Sequence, residues 1–256
     1  MIQEFSSDGV EIAFIDVAPQ GEDLGEPVLL IHGFASSHSI NWVDPQWVAT
    51  LAKAGRRVIA LDNRGHGKSG KPHDPGAYRL QTMARDAANL LDHLAIPKAD
   101  VMGYSMGARI SCFLAAENPG RVRSLILGGL GAHLLDSVGL PIRIAEAMEA
   151  PSPDSLTDPL QRLFRGFAEQ NRSDLEALAA CMRGSRQILS RDEIAKIACP
   201  VLVAVGTLDE IAGDPHGLAN LFPQGEALDI PGRDHNKAVG DRVFKAAALE
   251  FLERRR

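Results

Sequence analysis

Cysteine is scarce: Cys112, Cys181 and Cys199 are the only three in 256 residues, an odd number at wide spacings with no C-x-x-C pair. That pattern argues against a disulfide framework, signals no thiolate metal site and fits a reducing compartment, so a cytoplasmic location is expected. Positive charge is also short. The 27 Lys and Arg against 33 Asp and Glu leave a net charge of -6. The only basic cluster, Arg254 to Arg256, cannot neutralise a run of phosphates, so nucleic-acid binding is not expected. Apolar runs such as Val201 to Val205 fall far below the roughly 20 residues that span a bilayer, and no membrane span is expected. The opening residues Met1 to Gly9 carry neither a basic patch nor a long apolar stretch, so they do not read as a secretory signal. No pair of histidines has H-E-x-x-H spacing, and neither a metal nor a cofactor is expected.

What is present is enough apolar material, 45% of residues, to build a large core without staples. Ile2 to Phe5 and Glu11 to Val17 read as an antiparallel hairpin whose turn uses the positive φ open to Gly9. Short aliphatic runs follow at Val28 to Ile31, Arg57 to Leu61, Asp100 to Gly103, Ser124 to Leu127 and Val201 to Val205, most of them separated by helical stretches. Such runs suit parallel strands covered on both faces. Apolar stripes on Leu80 to Leu94 and on Val243 to Leu252 predict two helices that pack on the sheet. The class is therefore α/β, a mostly parallel twisted sheet with an N-terminal antiparallel hairpin. A TIM barrel would need eight regular repeats, and the segment from His133 to Ala198, with Pro141, Pro151, Pro153 and Pro159, interrupts any such rhythm. We read residues 133–198 as an inserted helical cap on a core of 1–132 and 199–256. Within it, Ser173 to Glu176 and Ser190 to Glu193 each match a capping box.

Gly103-Tyr104-Ser105-Met106-Gly107 follows a predicted strand and opens a helix that stops at Asn118-Pro119-Gly120. This is the setting of a nucleophile elbow, in which strained backbone presents the serine beside a helix N-terminus; the bland alternative is a tight βα turn. A serine needs a base, and His235 follows the probable strand Ala227 to Ile230; Asp209 follows Val201 to Val205. Both then lie beyond strand carboxyl ends, on the rim that carries Ser105. Imidazole titrates near working pH, and a carboxylate fixes its tautomer. Asp209 is preferred over Glu210 and Asp214, which sit further into the loop, and over Asp234, whose side chain points away from its neighbour's in an extended loop.

Taken together, these motifs resemble the α/β-hydrolase fold superfamily over nearly the whole chain outside the cap, and most closely its serine esterases. His32-Gly33-Phe34 looks like the family's oxyanion loop, which implies the amides of Phe34 and Met106 as oxyanion donors. Asp62 to Ser69 looks like its D-x-R-G-x-G-x-S loop, taken as structural. The stretch Gly65 to Gly70 also matches G-x-G-x-x-G, but Pro72 and Pro75 leave no helix to receive a pyrophosphate. His32 and His66 read as structural, while His38 and His133 could face the pocket. Cys112 reads as a core residue.

The expectation is a serine hydrolase that cleaves small-molecule carboxylic esters through an acyl enzyme, with Ser105, His235 and Asp209 as triad. Cap residues Leu134, Leu135, Leu140, Ile142, Leu163 and Phe167 are expected to roof an apolar pocket. One rival is a C–C bond hydrolase or lactonase with the same triad, its acid bound by Arg143, Arg162 or Arg165; a second is a ligand-binding protein without turnover. Nothing in the sequence fixes the oligomeric state, and a homodimer is among the states it allows.

Overall fold

The computed structural model describes residues 1–136 and 140–255, with 135 and 136 by backbone alone. Strands β1 (Ile2–Ser7) and β2 (Val10–Val17) form the hairpin, turning through Asp8 and Gly9, both at positive φ. Then come β3 (Val28–Ile31), helix α1 (Trp47–Lys53), β4 (Val58–Leu61), α2 (Leu80–His93), β5 (Ala99–Tyr104), α3 (Met106–Glu117) and β6 (Val122–Gly128). Five helices follow, α4 (His133–Asp136), α5 (Arg143–Glu149), α6 (Pro159–Gln170), α7 (Leu175–Gly184) and α8 (Arg191–Ala195), with no strand among the described residues of this stretch. The chain closes with β7 (Val201–Gly206), α9 (Pro215–Ala219), β8 (Gly225–Ile230), α10 (His235–Ala238) and α11 (Arg242–Glu253).

The eight strands form one sheet in the order β1-β2-β4-β3-β5-β6-β7-β8, antiparallel only where β2 pairs with β1 and β4. The chain runs outward from β3 to β4 and then returns to add β5 on the other side. The carboxyl ends of β3 and β5 therefore flank a switch point, where loops part and leave a crevice.

Period-two alternation divides the core. Leu29 and Ile31 of β3 and Ile59 and Leu61 of β4 face α2 and α3, whereas Val28, Leu30, Val58 and Ala60 face Trp47, Phe244 and Leu252 on the α1 and α11 side. The apolar residues of the 140–198 helices, among them Ile144, Met148, Leu178 and Cys181, join the α2 and α3 cluster rather than forming one of their own. Two local expectations change. The start of α7 is capped by Asp174, which accepts from the Ala177 amide at 3.0 Å, so the capping box lies at Ser190 to Glu193 but not at Ser173. Val243 is exposed although its stripe was expected to be inward; at the first turn of α11 the stripe begins with Phe244. Among the described residues no helix is long and apolar enough to cross a membrane.

Candidate active site

Ser105 stands between β5 and α3 with φ 55° and ψ -114°, a conformation that costs a residue with a side chain about 1–3 kcal/mol. Its own amide donates to Gly128 O of the neighbouring strand at 2.8 Å, which pins the turn to the sheet. The flanking glycines are required by close approach. A Cβ on Gly107 would lie 2.0 Å from Ile31 O, and one on Gly103 would lie 2.3 Å from Gly107 O.

The loop after β8 brings His235 over this serine. Its Nε2 lies 3.0 Å from Ser105 Oγ and its Nδ1 lies 2.7 Å from Asp209 Oδ2. The Asp209 side chain is fully buried, and its other oxygen accepts the amides of Ile211 and Ala212 at 2.9 and 3.0 Å. Tyr104, next to Ser105 in the chain, donates its hydroxyl to His235 O at 2.5 Å, and the two rings sit 5.5 Å apart. The other acids are occupied elsewhere. Asp234 caps α10 through the amides of Asn236 and Lys237 and pairs with Lys237 Nζ at 2.8 Å, contacts that hold its carboxyl below its ordinary value. Asp214 caps α9.

The loop after β3 is held by a buried polar lattice. His32 Nδ1 donates to Gly33 O at 2.7 Å while its Nε2 accepts from the Asn63 amide at 3.0 Å, which defines a neutral ring; burial pulls its pKa down to about 4. Burial pulls His66 down as well, to about 3. Asn41 Oδ1 accepts the Gly33 amide at 2.8 Å. Asp62 takes the His38 amide and Nδ1 and the Lys68 amide, all within 2.8 Å. Burial alone would raise this carboxyl, but its bonds from the His38 ring and amide work against that and hold it at about 2. Arg64 makes a two-pronged pair with buried Asp86, both bonds at 2.7 Å. The D-x-R-G-x-G-x-S stretch is thus built into the scaffold, and His38 serves it by binding Asp62.

Two cavities open from Ser105, separated by Phe34 and Ile211, which line both. The larger, about 400 Å³, is mostly apolar, lined by Leu80, Met106, Leu130, Leu140, Leu160 and Met182 among others, with Arg109, His133, Ser185 and Glu210 as its polar groups. The smaller, about 330 Å³, holds Tyr104, His235, Asn236 and Asn41 opposite Leu163, Phe164 and Phe167. Leu134 is fully buried in the core cluster and lines neither cavity. Ile142 is exposed and lines neither, and the side chain of Leu135 lies outside the described residues. Arg143 pairs with Asp158, and Arg165 binds Glu169 and three backbone carbonyls; neither these nor Arg162 line either of the two cavities at Ser105. Sequence reasoning missed Arg109, although its spacing of four from Ser105 puts it one helical turn further on the same face. It also missed Asn41 and Tyr104, whose partners lie across loops no local pattern reveals. Among the described residues no group of three His, Cys, Asp or Glu could hold a metal.

Comparison with known proteins agrees with this architecture. The profile of the alpha/beta hydrolase fold family matches residues 26–187. A protein of Variovorax paradoxus named as carbamate hydrolase RutD is 42% identical, covering 90% of this chain and 92% of its own length. A Bacillus subtilis protein named as a 2-succinyl-6-hydroxy-2,4-cyclohexadiene-1-carboxylate synthase is 34% identical over 96% of both chains. Among solved structures, a hydrolase from Pseudomonas aeruginosa superposes with a TM-score of 0.76 at 25% identity, over 98% of each chain.

Proposed function

Because the chain belongs to the alpha/beta hydrolase fold family, we propose that it is a serine hydrolase that cleaves carboxylic esters of small molecules through an acyl enzyme. The observation that carries this reading is the unbroken hydrogen-bond chain from Ser105 Oγ through both nitrogens of His235 to Asp209. With Nδ1 protonated towards Asp209, Nε2 is the acceptor, and it takes the hydroxyl proton as Ser105 Oγ bonds to the ester carbon. Negative charge then gathers on the carbonyl oxygen. The Phe34 and Met106 amides are assigned to hold it; Met106 is the first residue of α3, where amides lack intrahelical partners and the helix dipole favours an anion. Collapse breaks the ester C–O bond, and the imidazolium returns its proton to the leaving alcohol. Water, deprotonated by the same Nε2, then attacks the acyl carbon and releases the acid and the free serine.

Residues 133–198 act in this reading as a cap. Leu140 and Leu160 roof the larger cavity, and Leu163, Phe164 and Phe167 the smaller, and water excluded there strengthens the electrostatics of the oxyanion. The relative named for carbamate hydrolysis would present a similar acyl carbon, so carbamates belong beside esters in the assay.

A fluorophosphonate probe should label the wild type at Ser105. Ser105→Ala should take no label and lose kcat by about five to six orders of magnitude on a chain-length series of p-nitrophenyl esters. An unlabelled wild type or an undiminished Ser105→Ala rate overturns the assignment. Carbamates, lactones and diketone acids run in parallel show whether another acyl donor outranks esters.

A further inference from the structure

We propose that Asn41 is a specificity residue that donates a hydrogen bond to the alcohol arm of the substrate, which makes uncharged leaving groups bearing a carbonyl or similar acceptor oxygen the preferred ones. This rests on the proposed roles of Ser105 as nucleophile and His235 as proton carrier. The leaving atom must face His235 Nε2 to receive its proton. His235 lines the smaller cavity and not the larger, so the alcohol arm occupies the smaller one.

Asn41 sits in the π-helical turn Ser39–Val43 and lines that cavity. The residue is only 9% exposed, yet half of its amide is unused. The Gly33 amide can only donate, so the atom facing it at 2.8 Å is Oδ1, and the other branch of the side chain is Nδ2. Nδ2 has no hydrogen-bond partner among the described residues. Unlike Ser36 Oγ, a second unpartnered group of the same lining, it is not closed off from solvent. Two N–H donors on an amide of fixed orientation are thus offered beside the nucleophile. One point, the place of a Cβ on Gly33, lies 3.6 Å from Asn41 Oδ1 and 3.4 Å from Ser105 Cβ. Among the described residues the lining has no Asp, Glu, Lys or Arg, so a charged arm would be buried without a counter-ion, whereas an uncharged acceptor is matched. Leu163, Phe164 and Phe167 of α6 complete the wall and suit an aryl body. The rival role for Asn41 is a brace for the Gly33 loop, which would treat all leaving groups alike.

The test compares butanoate esters of acetylphenols with those of isopropenylphenols at the ortho, meta and para positions, where C=O is exchanged for a C=CH2 group of the same shape. Dividing each kcat/KM by the ester's hydroxide-catalysed rate constant removes the difference in intrinsic reactivity. Wild type should favour the acetyl member by about three- to tenfold for at least one ring position, as one net hydrogen bond would give. Asn41→Asp keeps an oxygen for the Gly33 amide but offers the substrate an acceptor in place of the donors, and should abolish that preference. A wild type without preference at any position overturns the proposal, as does an Asn41→Asp enzyme that keeps the preference or loses both members in proportion. Calorimetric titration of the free phenols into Ser105→Ala, with and without Asn41→Asp, reads the same contact without turnover. A preference for the acetylphenol that vanishes with Asn41→Asp supports the site even if no ester is cleaved. Equal preference in both proteins, or none in either, rejects it.

Discussion

Two aspartates compete for one imidazole in the sequence, and their surroundings separate them. Asp209 is buried, takes two backbone amides on one oxygen and leaves the other for His235 Nδ1. Asp234, one residue away from the histidine, spends its oxygens on the α10 amides and Lys237. Asp209→Asn should therefore lower kcat by about four orders of magnitude, since an amide at that point stabilises the wrong tautomer. Asp234→Asn still caps a helix and should stay within about threefold on the assumption that caps are interchangeable between the two residues. Measuring kcat for both variants checks this, and the reverse ranking would reassign the acid. The position of Asp209 was readable because an acid just past a strand end falls on the rim regardless of what the loop does. Arg109 was passed over because arginine in a helix reads first as a solvated residue, whereas here it is buried and its guanidinium donates to Gln187 O.

Helix starts illustrate how local chemistry is both legible and ambiguous to one residue. Ser173-Asp174-Leu175-Glu176 offers two capping side chains in succession, and S-x-x-E favours the first. The chain selects the second: the Ser173 amide already donates to Ala168 O at the end of α6, which ties that residue to the preceding helix and leaves Asp174 to accept from Ala177. Asp174→Ala should cost about 1 kcal/mol and Ser173→Ala less than about 0.5 kcal/mol, read from chemical denaturation midpoints. The pair of Asp174 with His73 is largely exposed and adds little to the first figure. Equal effects would return the cap to Ser173. The strands were legible for a different reason. A run covered on both faces must be aliphatic, whereas the half-exposed β8 is marked only by Ala227 to Ile230 and actually begins at Gly225. The strand order was not written in any run, because it arises from pairing between β3 and β5, about seventy residues apart.

The polar lattice beneath the rim gives the whole protein a pH dependence. His32 and His66 are fully buried and neutral, with pKa values near 4 and 3 against 6.5 in an unfolded chain. Below about pH 6.5 the unfolded chain takes up protons that the folded one refuses, so stability is full above that value and falls as pH drops towards about 4. Each proton contributes about 1.4 kcal/mol per pH unit across that window. Asp62, held at about 2 against 3.8, adds a further loss only below about pH 4. Denaturant midpoints taken through this range should decline steeply from near neutrality, and a flat profile would mean that these rings are hydrated. The merging of the 140–198 helices with the α2 and α3 cluster has a mechanical counterpart. α5 packs on α6 and α7 within the stretch, whereas α7 packs on Pro75–Tyr78 and its Cys181 Sγ lies 3.8 Å from Met106 Sδ, so swinging these helices away as a rigid visor would return that α7 contact surface to water, at roughly 1.5–3 kcal/mol for each large side chain. On the reading that these helices cap the site, guests should enter by small rearrangements at the mouths of the two cavities, and roof and floor should melt together in a single transition.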